Sequence, residues 1–226
     1  MTSDLERKRS DEPLLRMDGV VRTFGHVTAL AGLDLRVDRG EVVGLLGHNG
    51  AGKTTTVRVL AGVLAADRGV VRVAGLDPVA DGPAVRRKLG VMPAEPVVDD
   101  RLSAVANLRF AADVFGVAAD GLDERIASAL ATFELADRGD ERVSGFSTGM
   151  RRRLSLARVL LPDPEILLLD EPTAALDPIA ARLVRRLVAS LAQERMRTVV
   201  LCTHDLAEAE QLWANHCFWH RSALAG

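Results

Sequence analysis

Cysteine is scarce in this chain, with two in 226 residues. Cys202 and Cys217 do not form a CxxC pair and both lie in apolar stretches, so buried free thiols of a reducing compartment are expected and a disulfide scaffold is excluded. Long hydrophobic runs are missing as well. Nothing approaches the roughly 18 consecutive apolar residues of a membrane span; the best runs, Val42–Leu46 and Ile166–Leu169, have strand length. Neither sign of charge dominates, with 29 Lys+Arg against 31 Asp+Glu. That balance provides no basic stripe for a phosphodiester backbone, and no nucleic-acid partner is expected. The first dozen residues mix both signs around no apolar segment, so residues 1–13 are expected to form a flexible tail rather than a signal peptide. The protein is then expected in the cytoplasm unless a partner holds it at a membrane. What is present is an ordinary globular mixture, 48% hydrophobic and 27% charged, enough for one domain or two joined lobes to bury a core without staples.

Strand-like and helix-like patterns alternate along the chain. Strands are expected at Leu14–Val20, Leu33–Val37, Val42–Leu46, Val70–Val73, Leu89–Met92, Ile166–Leu169 and Val199–Cys202. Helices are expected at Lys53–Leu64, Ser103–Phe115, Asp123–Phe133, Ser147–Leu161, Pro178–Glu194 and Leu206–Ala214. Such alternation predicts an α/β fold around a largely parallel sheet. The first strands precede any helix, which suggests an antiparallel β element at the front. From about residue 93 to 162 helices follow one another without a strand, so a helical lobe is expected as an insertion into a core of residues 14–92 and 163–226.

Gly47-His48-Asn49-Gly50-Ala51-Gly52-Lys53-Thr54 matches GxxxxGK[ST] directly after an apolar strand and directly before a helical pattern, the context this motif requires. From composition alone its four fixed positions coincide about 0.002 times per chain. The glycines let successive N–H groups turn onto phosphate oxygens, the helix start through Thr55 adds partial positive charge, and Lys53 adds a full one. Lysine is otherwise nearly absent, three against 26 arginines, and its compact ammonium suits a narrow phosphate cradle. Thr54 offers a hydroxyl to Mg²⁺. A second apolar run ends in Asp170-Glu171, which delivers two carboxylates to the C-terminal edge of the sheet. Asp170 can hold Mg²⁺, and Glu171 can polarise a water for attack on a γ-phosphorus.

Phe146-Ser147-Thr148-Gly149-Met150, with Gly149 placed 21 residues before Asp170, resembles the LSGGQ-type signature of ATP-binding cassette (ABC) ATPases in the FSxGM form of bacterial exporter subunits. Phe24-Gly25, the run Glu171-Pro-Thr-Ala-Ala-Leu-Asp177-Pro178 and Thr203-His204-Asp205 agree with it in order and spacing, so the resemblance covers about Leu14 to Leu212. It implies a P-loop NTPase core of the RecA-like type, MgATP as the ligand, and a head-to-tail pair of cassettes in the ATP-bound state. In that pair Ser147 and Gly149 face the γ-phosphate held by the other subunit. It further implies Phe24 stacking on adenine, His204 touching the γ-phosphate, Asp177 at the dimer interface, and a separate transmembrane permease as partner. Arg151 to Arg153 read as a solvated helix face with one or two subunit contacts rather than a nucleic-acid patch. Two departures stand out. Ala94 occupies the place of a Gln that would ligate Mg²⁺, with Glu95 as the neighbouring oxygen donor, and the stretch after Trp213 suggests a reduced closing hairpin. The function expected is an ATPase subunit powering export. The rival readings are an ATP-binding regulatory protein with slow hydrolysis because of Ala94, and a soluble ABC ATPase without a transport role.

Overall fold

A computed structural model describes residues 12–48, 50–174, 176, 178–194 and 197–204. Seven strands fall into two sheets. β1 (Leu15–Phe24) and β2 (Val27–Val37) form a hairpin across Gly25-His26, and β4 (Arg68–Val73) pairs with the other edge of β1, giving an antiparallel order β2-β1-β4. β3 (Val42–Leu46), β5 (Leu89–Met92), β6 (Ile166–Asp170) and β7 (Thr198–Thr203) form a parallel sheet in the order β3-β7-β6-β5. Every residue of β6 and β7 is buried, as expected of parallel strands covered on both faces.

The helices are α1 (Lys53–Leu60), α2 (Gly82–Arg86), α3 (Ala104–Phe115), α4 (Leu122–Thr132), α5 (Thr148–Leu160) and α6 (Pro178–Glu194). They divide between the two faces of the parallel sheet through the alternation of its side chains. Ile166 and Leu168 of β6 join Val57 and Leu60 of α1 and the antiparallel sheet in one core. Leu167 and Leu169 point the other way, into a core with Leu108, Leu130, Phe133, Leu154 and Val184 of the helical side. Each such buried leucine contributes about 1.5–3 kcal/mol. The two cores fix the strand ends of the parallel sheet from both sides.

All seven strands expected from the pattern are present, and the helical run between β5 and β6 contains α3 to α5. Three boundaries differ by four residues or more, and one helix was not expected. β1 runs on to Phe24 rather than stopping at Val20, held by its pairing with the start of β2. β2 starts at Val27 rather than Leu33, because Val27 to Gly32 bury only Leu30 and depend on pairing with β1. α1 stops at Leu60 rather than Leu64, ended by Gly62 in the left-handed conformation at φ 68°. The short α2, with Pro83 in its first turn, gave no apolar period to read. The expected helix at Leu206–Ala214, the tail over residues 1–11, Cys217 and the closing hairpin lie outside the described residues.

Candidate active site

β3 leads into the glycine-rich turn and α1 leaves it. Gly52 caps α1 at φ 88°, and a Cβ there would stand 2.4 Å from the Ala29 carbonyl oxygen of β2. Glycine is therefore required twice over, by conformation and by the close approach of another strand. Gly50 shares the φ of 88°. No side chain of the described residues caps α1, so the leading N–H groups of Lys53, Thr54 and Thr55 are left without an intrahelical acceptor and carry the partial positive charge of the helix start. Gly47 bounds the turn, Ala51 is buried, and Asn49 lies outside the described residues. Lys53 is only 5% exposed, yet its Nζ donates to the carbonyls of Gly47 (2.6 Å) and His48 (3.2 Å) and lies 3.4 Å from Glu171 Oε1.

The strand order places β7 between β3 and β6, so the C-terminal ends of all three open on one edge. Thr54 Oγ1 donates to Asp170 Oδ2 at 2.6 Å. Asp170 is 1% exposed, and its Oδ1 is buried without a hydrogen-bond partner among the described residues. Burial pushes the Asp170 carboxyl above the usual carboxylate range, against the lowering effect of the Thr54 hydrogen bond. Glu171 follows in the left-handed region at φ 51°, its N–H donating to the Cys202 carbonyl at 2.8 Å. Its Oε2 lies 2.8 Å from His204 Nδ1 at the end of β7. Five residues expected at the site, Lys53, Thr54, Asp170, Glu171 and His204, thus form one connected group.

A metal would be held here by Thr54 and Asp170. The orphaned Asp170 Oδ1 supplies a hard oxygen that no donor among the described residues satisfies. Among the described residues no cluster of three His, Cys, Asp or Glu could form an all-protein cage. That pairing of few protein oxygens with a phosphate cradle fits Mg²⁺, which keeps waters and takes substrate phosphates as ligands. Cys202 lies beneath, its Sγ 3.8 Å from the Lys53 carbonyl, and burial pushes its thiol well up. It is an inert packing residue.

The remaining expected residues stand elsewhere on the fold. Phe24 ends β1, 43% exposed, with the Arg22 guanidinium 4.9 Å from its ring centroid. Asp67 fixes this hairpin by accepting from Arg22 (2.8 Å) and from both the N–H and hydroxyl of Thr23 (2.7 Å each). Ser147 is exposed and caps α5 by accepting from Met150 N–H at 3.3 Å. At Gly149 a Cβ would meet only ordinary contacts, 3.7 Å to Ala180 and Leu176. Asp177 lies outside the described residues. Ala94 and Glu95 are exposed on the loop after β5.

The reading of Arg151 to Arg153 as a solvated face is overturned. Arg152 is 3% exposed and donates to the carbonyls of Ala94 and of Ala174, the latter at 3.0 Å. Arg151 grips the Asp100 carboxylate at 2.6 and 2.7 Å, and Arg153 reaches the Phe133 carbonyl and the Glu134 carboxylate. A signal was available: Arg152 lies three and four positions before the buried Ser155 and Leu156, on one helical face with them.

A family model described as ABC transporter matches residues 30–174. The chain is 43% identical over 198 residues to the daunorubicin resistance ATP-binding protein DrrA3 of Streptomyces coeruleorubidus, covering 88% of this chain and 62% of that protein. It is 38% identical over 204 residues to the Nod factor export ATP-binding protein I of Cupriavidus metallidurans, covering 90% and 67%. Its fold is similar to the dimeric post-hydrolysis state of the ATP-binding cassette MJ0796 bound to ADP and Pi, with a TM-score of 0.78 at 25% identity over 87% of this chain and 90% of that one. With more than half of its length matched by that family model, this chain belongs to the ABC transporter family.

Proposed function

We propose that the chain is the ATP-binding and ATP-hydrolysing subunit of an exporter, acting from the cytoplasmic face of the cell membrane through a separate membrane-spanning partner. The observation that carries this is the connected group Lys53, Thr54, Asp170, Glu171 and His204 at one sheet edge. Phosphate oxygens replace the Gly47 and His48 carbonyls as partners of the buried Lys53 ammonium, since only a stronger acceptor draws it away. Gly50, Gly52 and the N–H groups of Lys53, Thr54 and Thr55 bind the triphosphate, and Phe24 stacks on the base through its open face. Mg²⁺ on Thr54 and Asp170 offsets phosphate charge when bound. Glu171 takes a proton from the attacking water, and His204 orients that carboxylate through Oε2.

Gly149 supports a paired, nucleotide-sandwiched state. Nothing among the described residues forbids a methyl group there, so the bare Cα beside the exposed Ser147 leaves room for a ligand approaching from a second subunit. Export is supported by the relatives, one named for daunorubicin resistance and one for Nod factor export. Among the described residues no helix is long and apolar enough to cross a membrane. A membrane-spanning partner is supported by the exposed Phe110, Val114 and Phe115 on α3, beside a cavity of about 120 Å³ lined by Pro93, Val97, Phe115 and Val159. The chain spans 62% of the length of DrrA3.

The test is MgATP binding and turnover by the purified protein. Lys53→Ala should abolish ATP binding. Glu171→Gln should retain ATP, lower kcat about 100-fold or more, and show a doubled mass by light scattering with ATP present. Undiminished turnover in both variants would refute the assignment.

A further inference from the structure

We infer that Arg152 is a positioning residue for hydrolysis, locking the turn that begins at Glu171 and the loop at Ala94 in one fixed relation to the head of α5. The inference rests on the reading of Glu171 as the general base.

The turn carrying Glu171 is short and strained. Glu171 sits at φ 51°, and the turn closes with Ala174 N–H donating to the Glu171 carbonyl at 3.1 Å. It is pinned at two ends. On one side Glu171 N–H is held by the Cys202 carbonyl of β7 at 2.8 Å. On the other the Ala174 carbonyl accepts from Arg152 at 3.0 Å. A non-glycine residue stays in the left-handed region only where its surroundings overdetermine it, and Arg152 supplies one of those restraints from a different part of the fold.

The same guanidinium donates to the Ala94 carbonyl. Position 94 has no side chain beyond a methyl, and its main chain makes the link. Two further side chains of α5 hold this loop: Arg151 binds Asp100 at 2.6 and 2.7 Å, and Ser155 Oγ accepts from Val97 N–H at 3.3 Å. α5 opens at Ser147, so a shift of this helix acts on the loop after β5 and on the Glu171 turn together. Arginine suits the task because its planar fork fixes two acceptors in two directions at once, whereas an ammonium on a flexible stem fixes neither direction.

The test compares Arg152→Met, which keeps volume without donors, and Arg152→Lys with the wild-type full chain. Steady-state hydrolysis, thermal unfolding and hydrogen exchange are measured on each. The Met variant should lower kcat about tenfold or more while KM for ATP stays within about twofold. Its peptides spanning 171–174 and 94–103 should exchange about tenfold faster, with those of the β1–β2 hairpin unchanged. The Lys variant should fall between the two. A folded Met variant with wild-type kcat and wild-type exchange overturns the inference. If the Met variant does not fold, the Lys variant decides: kcat lowered about threefold or more at constant KM supports the role, and wild-type kcat refutes it. Should the wild type itself not turn over ATP, the reading of Glu171 falls, and the exchange of 171–174 still shows whether Arg152 fixes that turn.

Discussion

Replacing Asp170 by Asn should make the nucleotide-free protein more stable while removing a candidate metal ligand. The carboxylate is 1% exposed, with Oδ2 satisfied by Thr54 and Oδ1 buried without a partner among the described residues. Burial is the largest influence on its titration and raises its pKa; the adjacent Glu171 adds to the rise, and the Thr54 hydrogen bond and the Lys53 charge oppose it. The native state therefore binds this proton more tightly than the unfolded state. Its contribution to stability is fully present below the ordinary carboxylate value and is lost as pH rises through the raised folded value. At neutral pH the ionised group is a net cost. An amide carries no charge to desolvate and its oxygen still accepts from Thr54, although its NH₂ inherits the poorly served position of Oδ1. The balance is about 1 kcal/mol in favour of Asn, which for a chain of this length raises Tm by about 2–4 °C. Melting curves in EDTA without nucleotide, from pH 4 to pH 8, should show the two proteins converging at the acid end and separating as pH rises. With MgATP the order should reverse, because a ligand at 100 times its Kd stabilises by about 2.7 kcal/mol and the variant loses much of that binding. An Asn variant less stable than wild type at pH 7.5, or a gap that does not change with pH, refutes the reasoning.

Phe24→Ala should weaken ATP binding about 5- to 150-fold, the equivalent of about 1–3 kcal/mol of base stacking, with kcat little changed, as read by titration of a fluorescent nucleotide. Ala94→Gln should raise turnover when Mg²⁺ is limiting, by up to about 5- to 150-fold if a missing amide ligand costs about 1–3 kcal/mol in the barrier. ATPase titrations against Mg²⁺ check this, and superimposable curves would show that the side chain at 94 is immaterial or, if Glu95→Ala then impairs turnover, that Glu95 serves in its place.

The parts of the fold that could be read from the chain are those whose physics is written in consecutive residues. β6 and β7 centre on the apolar runs Ile166–Leu169 and Val199–Cys202 because both faces are covered, and the phosphate turn demands glycine and lysine at fixed spacing. Residues that act through the main chain of distant segments left no such trace. Arg152 meets carbonyls 58 and 22 positions away, and a carbonyl has no residue identity to recognise, so a run of three arginines read as a wet helix face. The Asp67 network on the β1 hairpin was hidden by separation in sequence alone, its donors lying 44 and 45 positions back. Similarly, the upward shift of the Asp170 carboxyl arises from packing that only the assembled sheet provides.

Among the described residues, the order β3-β7-β6-β5 leaves β3 with a single neighbour, and that neighbour is Val199 to Thr203. During synthesis the three described strands of the antiparallel sheet are available once residue 73 has emerged, while the strand that launches the phosphate turn waits for its described partner, β7, until most of the chain is made. Pairings of such long sequence separation close slowly and expose unpaired edges to other chains. A nascent polypeptide halted before β7 should thus be unable to hold nucleotide, and ATP then acts as a late checkpoint that stabilises only those molecules in which β3 and β7 have found each other.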